Sequence, residues 1–129
     1  MKAIQIKQFD EKDEKIAEAL ISLGMNKNVA MALTFLQNMN AATSMDIERG
    51  VNLRQPEVSI AVKQLKKLNW ITEREEKKRT GKGRPTKVYS LKIGFNDIVN
   101  QLEKQHEKAL DEARANVERL KELGNNSKN

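Results

Sequence analysis

The stretch over residues 53–71 constrains the fold of this 129-residue chain more than any other part of the sequence. Pro56 stands near the start of a predicted helix (about residues 55–68), where the missing proline N–H costs no hydrogen bond. Apolar residues then recur at helical spacing and can share one buried face. These residues are Val58, Ala61, Val62, Leu65 and Leu68. The stretch therefore predicts an amphipathic helix at the centre of a folded domain.

The opposite face of this helix mixes hydrogen-bonding, apolar and cationic side chains. At about 100° per residue, it carries Pro56, Ser59, Ile60, Lys63 and Lys67. A helix face that serves only solubility more often carries Glu–Lys pairs. The mixture suits base edges, a thymine methyl group and flanking phosphates. The pattern predicts a recognition helix, and Arg54 and Gln55 at its start are included among the predicted DNA contacts.

The positive charge of the chain is concentrated in one segment. The net charge is +6, and residues 77–95 carry seven basic side chains and no acidic one. One cationic segment implies a polyanionic partner, although a solvated loop is the alternative interpretation. The predicted DNA contacts of this segment are Lys78, Arg79, Lys82, Arg84 and Lys87.

Two helices are predicted before the central stretch. Asp10 can cap the first, which runs to about residue 23 and ends at Gly24. Its inward-facing residues are expected to be Ile16, Ala19, Leu20 and Leu23. Asn26 can cap the second helix. The apolar side of that helix is expected to contain Val29, Ala30, Leu33, Phe35 and Leu36.

A short third helix is predicted directly before the central one. Ser44 is expected to cap it, and Gly50 to lie near its end. Its expected core contacts are Met45, Ile47 and Val51. A helix, a short turn and a second helix, with a glycine near the junction, form a helix-turn-helix motif. Thr43 and Ser44, at the start of the third helix, are included among the predicted DNA contacts.

An extended hairpin is predicted after the central helix, over about residues 70–91. Residues 70–72 start the first arm, and residues 80–85 contain the glycines and the proline of a turn. Residues 87–91 return with the alternation of a half-buried strand. Trp70 and Tyr89 are expected to be core anchors beneath the hairpin. A hairpin directly after a recognition helix is a wing.

A family resemblance rests on two of these segments. RQPEVSIAVKQLKKLNWI, followed by the basic GKGRPTKVYSL, resembles archaeal winged-helix transcription regulators related to the MarR, ArsR and TrmB families. LGMNKNVAMALTFL is similar to the start of TrmB-like domains, and the resemblance covers roughly residues 20–91. It implies sequence-specific binding to duplex DNA, with the helix in the major groove and the wing alongside, by proteins that are usually dimeric. The Cys and His clusters of metal-sensing ArsR members are missing, so metal regulation is not implied.

A long helix is predicted from residue 96 to about residue 123, ending at Gly124. Apolar positions three and four apart give it the seam of a coiled coil. The predicted dimerisation residues are Val99, Leu102, His106, Ala109, Leu110, Ala113, Val117, Leu120 and Leu123. Because an isolated helix of this kind is marginal in water, we expect a second copy of the chain as its partner.

The expected fold is mainly α with a small β-hairpin wing (α+β). It comprises a winged helix-turn-helix domain over residues 1–95, a dimerisation helix over residues 96–124 and a flexible tail over residues 125–129. No cysteine and one histidine are present, so disulfides are excluded, and no metal or other cofactor is expected. No spacing pairs a nucleophile with a base, so we expect no enzyme. Apolar runs fall short of membrane-spanning length, and residues 1–9 lack a secretory signal, so we expect a cytoplasmic protein without a membrane partner.

The sequence therefore predicts a homodimeric transcription regulator that binds double-stranded DNA sequence-specifically. The recognition helix would enter the major groove, and the basic wing would lie on the backbone or in the minor groove. Two alternatives stay open: an architectural or nucleoid-type DNA-binding protein, and a winged-helix protein-interaction module of a transcription complex. Relatives often bind small-molecule effectors between their DNA-binding and dimer regions, but no residue marks such a site here.

Overall fold

The computed structural model describes residues 9–76 and 85–127. In chain order, the elements within these residues are α1 (Glu11–Ser22), α2 (Lys27–Gln37), β1 (Ala42–Thr43), α3 (Ser44–Val51), α4 (Gln55–Lys67), β2 (Ile71–Glu76), β3 (Thr86–Leu91) and α5 (Phe95–Ser127). The chain divides into two compact units, Met1–Phe95 and Asn96–Asn129. The described residues are mainly helical and contain one small antiparallel sheet, which confirms the predicted fold class.

Side-chain caps start the first two helices where the sequence predicts them. The Asp13 backbone N–H donates to the Asp10 carboxylate at 2.9 Å, and the Asp10 N–H donates to the Asp13 carboxylate at 3.1 Å. At the start of α2, Asn26 Oδ1 accepts from the Asn28 N–H at 2.9 Å. Gly24, at φ +100°, ends α1 in a left-handed turn. These bonds satisfy backbone groups that helix ends leave unpaired.

Helix α2 forms much of the core of the first unit. It contacts α1, α3, α4 and β3. Its buried residues are Val29, Ala30, Ala32, Leu33, Thr34, Phe35 and Leu36. The buried residues of α4 are Val58, Ala61, Val62 and Leu65, which confirms the predicted inner face, and Leu68 beyond them is half-buried. The Thr34 hydroxyl donates to the Ala30 carbonyl at 2.7 Å, so the buried hydroxyl is satisfied.

The predicted inner face of α1 is partly wrong. The buried residues of this helix are Asp13, Ala17 and Leu20. Ala19 and Leu23, predicted to face inward, are exposed, and Ile16 is half-buried. The helix turns the Asp13 carboxylate inward, where it accepts from Asn38 Nδ2 at 2.8 Å. A buried carboxylate with hydrogen-bond partners thus takes a place that apolar periodicity alone does not predict.

The start of α3 differs from the prediction by one residue. The Asp46 N–H donates to Thr43 Oγ1 at 3.1 Å, and the Thr43 N–H donates to the Asp46 carboxylate at 3.0 Å. The N-cap is therefore Thr43 and not Ser44. Thr43 has a carboxylate three residues later to complete a capping box, whereas Ser44 has Ile47 there.

The inner face of α3 is formed by Ile47 and Val51, both buried as predicted. Met45, predicted to join them, is 57% exposed. At about 100° per residue, Met45 lies roughly 200° around the helix from Ile47. After Val51, Asn52 adopts a left-handed conformation (φ 56°, ψ 47°) that turns the chain towards α4. α3, this turn and α4 form the predicted helix-turn-helix.

One antiparallel sheet has the strand order β1-β3-β2. β2 and β3 pair along their whole length and form the predicted hairpin. β1 was not predicted, because two residues are too short to show a pattern; it pairs Ala42 with Tyr89 and Thr43 with Val88. Val88 and Tyr89 are both buried, so the predicted alternation of this arm is wrong. β3 is the middle strand, and α2 and α3 also contact it.

Helix α5 is 33 residues long and continues through Gly124 to Ser127. The predicted end at Gly124 is therefore wrong. Glycine in a helix costs about 1 kcal/mol relative to alanine, a penalty that the surrounding helix-forming residues can offset. No helix within residues 9–76 and 85–127 combines the length and the apolar character needed to cross a membrane.

Candidate nucleic-acid interface

The outer face of α4, formed by Pro56, Ser59, Ile60, Lys63 and Lys67, is exposed. Ile60 is 69% exposed, the largest fraction for any large hydrophobic side chain in the described residues. Within those residues, Lys63 and Lys67 have no carboxylate ion-pair partner. The outer face therefore combines a hydroxyl, an apolar group at its centre and two unpaired cations.

Interactions at both ends hold α4 in place. At its start, the Arg54 N–H donates to Glu57 Oε1 at 2.9 Å. At its end, the Asn69 N–H bonds to the Lys66 carbonyl at 2.9 Å, and Asn69 itself is left-handed with φ 65°. The next residue, Trp70, is buried as predicted and leads into β2. The hairpin therefore follows α4 after a defined turn, which places the start of β2 beside the end of α4.

Contacts predicted for the tip of the wing lie outside the described residues. These contacts are Lys78, Arg79, Lys82 and Arg84, and they stay predictions. Lys87, in β3, is described and exposed. Lys92, from the same basic segment, donates to Asn69 Oδ1 at 2.8 Å. Lys92 therefore lies at the end of α4, whereas Lys87 lies further along the hairpin, opposite Glu75.

The carboxylate of Glu73 in β2 faces two lysines, one in α4 and one in β3. Lys66 Nζ, in α4, donates to Glu73 Oε1 at 2.8 Å, and Lys87 Nζ lies 3.8 Å from Glu73 Oε2. The basic segment is therefore not unopposed, as the sequence suggested, because strand pairing brings acidic residues of β2 beside it. The sequence carries no local signal for this arrangement, since Lys66 and Glu73 lie in different elements.

The Lys66–Glu73 hydrogen bond favours the charged form of both groups. The bond to Lys66 holds the pKa of Glu73 below its ordinary value, with a further contribution from the charge of Lys87. The same bond raises the pKa of Lys66 above its ordinary value. At neutral pH the two side chains form an ion pair that links α4 to β2.

The remaining predicted contacts lie near the starts of α3 and α4. Thr43 and Ser44 are half-buried, and the Thr43 hydroxyl is engaged in the cap of α3. Arg54 and Gln55 are exposed at the start of α4. The structure thus brings four predicted contacts to the helix-turn-helix, two of them freely exposed and two partly enclosed.

The described surface of α5 carries the predicted dimerisation stripe. Leu120 is 67% exposed, and Leu110 and Val117 are each 48% exposed. Leu102 is half-buried, whereas the other predicted residues of the stripe are exposed. Large apolar side chains therefore recur along one exposed helix face.

No protein-family model matches the sequence, and no curated protein matches it. Two solved structures are similar in fold. One is a possible transcriptional regulator from Methanosarcina mazei, with 16% sequence identity, a TM-score of 0.62, and coverage of 84% of this chain and 86% of that one. The other is TrmBL2, an archaeal chromatin protein, with 16% identity, a TM-score of 0.64, and coverage of 86% of this chain and 41% of that one. This chain therefore spans about two-fifths of the length of TrmBL2.

Sequence identity this low shows a shared fold. The helix-turn-helix of α3 and α4, followed directly by the β2–β3 hairpin, is the arrangement that the resemblance over residues 20–91 implied. The chain has a winged helix-turn-helix fold, which it shares with a possible transcriptional regulator and with an archaeal chromatin protein.

Proposed function

We propose that this chain is a transcription regulator that binds double-stranded DNA sequence-specifically as a homodimer. The outer face of α4 carries the proposal, because Ser59, Ile60 and Lys63 project from a helix whose opposite face is fixed in the core. Hydroxyl, apolar and ammonium groups can respectively bond to base edges, contact a thymine methyl and bond to guanine or phosphate. Helix α4 enters the major groove, and its N-terminal half contacts the bases.

The wing supplies contacts to the phosphate backbone in this proposal. Lys87 adds positive charge to the described part of the hairpin, and the sequence adds Lys78, Arg79, Lys82 and Arg84 as further predicted contacts. Phosphate contacts position a protein on the duplex without reading sequence. Arg54 and Gln55, exposed at the start of α4, and Thr43 and Ser44, at the start of α3, lie where the motif approaches the DNA.

Dimerisation through α5 is the second part of the proposal. An exposed stripe that includes Leu110, Val117 and Leu120 would stay in contact with water in an isolated chain. Pairing with the same stripe of a second copy removes this surface from water. A two-fold dimer would present two α4 helices about 34–36 Å apart, one turn of the duplex.

The second candidate is an architectural DNA-binding protein. The similarity to TrmBL2, an archaeal chromatin protein with a novel mode of DNA binding, favours it. This candidate uses the same cationic surfaces but coats duplex DNA without choosing among sequences.

Selection from a pool of random-sequence duplexes separates the two candidates. A regulator should enrich one sequence with two-fold-related half-sites whose centres lie about ten base pairs apart, or a multiple of that distance. An architectural protein should recover the pool almost unchanged. Recovery without enrichment would therefore reject sequence-specific regulation and leave the architectural function in place.

A further inference from the structure

The carboxylate of Glu73 joins the three elements that would face DNA. It lies in β2, bonds to Lys66 of α4 at 2.8 Å, and lies 3.8 Å from Lys87 of β3. All three side chains remain accessible: the exposed fractions are 44% for Lys66, 23% for Glu73 and 55% for Lys87. The cluster is therefore a surface feature at the junction of the recognition helix and the wing.

The cluster divides the lysines of this surface into two classes. Lys63 and Lys67, on the outer face of α4, have no carboxylate partner within the described residues. Lys66 lies about 100° around the same helix from Lys67 and is paired with Glu73. Lys87, in β3, is paired with the same carboxylate. Lys63 and Lys67 are therefore available to bind an anion, whereas Lys66 and Lys87 already form ion pairs with Glu73.

A carboxylate and a DNA phosphate compete for the same ammonium groups. Both present anionic oxygens to the N–H donors of lysine. Exposed ion pairs contribute little to stability, so holding the hairpin against α4 does not by itself require Glu73. We expect Glu73 to have a larger effect on binding, because its carboxylate competes with any polyanion that approaches Lys66 and Lys87.

We propose that Glu73 limits the affinity of the α4–wing surface for non-specific DNA by occupying Lys66 and Lys87. The inference rests on the proposed DNA-binding function and adds an intramolecular competitor to it. In the wild-type chain, a DNA phosphate near the junction must displace the Glu73 carboxylate before it can bond to Lys66 or Lys87. Without that carboxylate, both lysines are available to the backbone of any duplex, whatever its sequence.

The test measures the affinity of Glu73→Gln for random-sequence duplex as a function of salt concentration. Glutamine keeps the size of the side chain and removes its charge. Each additional phosphate contact steepens the slope of log K against log salt by about 0.9. Release of both lysines should therefore steepen the slope by about 1.8 and increase the loss of affinity between 50 and 200 mM salt by a further factor of roughly ten. Affinity at low salt should rise above that of the wild type.

Two further variants separate this pairing from a general effect of charge. Glu75→Gln removes the same charge from an exposed position of the same strand, and its slope should stay close to the wild-type slope. In a Lys66→Gln background, Glu73→Gln releases Lys87 alone and should steepen the slope by about half as much. Circular dichroism of each variant checks that the fold is retained.

The outcomes distinguish the proposed role of Glu73 from the proposed DNA-binding function. A wild type that binds random duplex, with Glu73→Gln giving the slope of the wild type or of Glu75→Gln, would overturn the role of Glu73 and leave DNA binding intact. A wild type that binds neither random nor selected duplex would overturn both proposals.

Discussion

Gly50 lies in α3 against the ring of Phe35 in α2. A Cβ atom at this position would come within 2.6 Å of Phe35 Cδ1, well inside van der Waals contact. Phe35 is buried, so its ring has little open space into which to move. The sequence indicates a glycine near the end of a helix, whereas the structure shows a glycine that lets two helices approach closely. This approach sets the position of the turn that leads into α4.

Replacement of Gly50 by alanine should therefore destabilise the first unit. Overpacking a core typically costs about 1–3 kcal/mol, and the better helix propensity of alanine returns up to about 1 kcal/mol. Because the added Cβ would lie well inside contact distance of a buried ring, the overpacking cost should be about 2–3 kcal/mol. We therefore expect a net loss of about 1–2 kcal/mol in the free energy of unfolding, measured by chemical denaturation. Gly124→Ala is the matched control: among the described residues, no atom beyond the adjacent residues and backbone of α5 lies within 4 Å of the added Cβ, so this change should be neutral or stabilising. Equal stability of Gly50→Ala and the wild type would contradict the packing argument.

Ile60 should read a thymine methyl group. Its branched side chain is stiff, so little conformational entropy is lost when it packs against a methyl in the groove. Replacing the responsible thymine by deoxyuridine in the selected duplex removes one methyl and should lower wild-type affinity about fourfold, from roughly 0.8 kcal/mol per buried carbon. Ile60→Ala should bind the thymine and deoxyuridine duplexes equally. If deoxyuridine lowers the DNA affinity of the wild type and of Ile60→Ala by the same factor, a group other than Ile60 contacts the thymine methyl.

Helices were predictable where their apolar spacing matches their burial, as in α4 with Val58, Ala61 and Leu65. Three other features could not be predicted from the sequence, each for a different physical reason. The inner face of α1 includes Asp13, whose partner Asn38 lies in a later part of the chain. β1 is defined by its pairing with β3 rather than by its own pattern. α5 continues beyond Gly124, because a single glycine weakens a helix without ending it.

Helix α5 should hold the dimer together. Leu110→Asp with Leu120→Asp places carboxylates at two exposed positions of the stripe and avoids the half-buried Leu102. The double variant should run as a monomer in light scattering, while the wild type runs as a dimer at micromolar concentration. Glu107→Asp with Glu118→Asp, at exposed positions of the same helix, is the control and should leave the dimer intact. A wild-type monomer would remove dimerisation from the proposal, and a dimer untouched by the leucine changes would place the interface elsewhere.

In the folded domain, acidic side chains of β2 lie beside part of the basic segment that the sequence shows as unopposed. The basic segment of residues 77–95 has no acidic residue in sequence, yet β2 places Glu73, Glu75 and Glu76 in the strand paired with β3. Motif spacing predicted helix α4 and the β2–β3 hairpin, because both depend on local patterns. The Lys66–Glu73 ion pair between them could not be predicted, because it depends on how the fold positions residues from separate elements.

The affinity ratio between selected and scrambled duplexes tests sequence-specific binding by α4 most directly. Fluorescence anisotropy at one fixed salt concentration gives the dissociation constants of the wild type and of Lys63→Ala on both duplexes. The wild type should bind the selected duplex at least about 1,000-fold more tightly, and Lys63→Ala should reduce this discrimination by about 1–3 kcal/mol. Equal wild-type affinity for the two duplexes would contradict sequence-specific binding. An equal loss on both duplexes in Lys63→Ala would assign Lys63 to phosphate contact instead of base recognition.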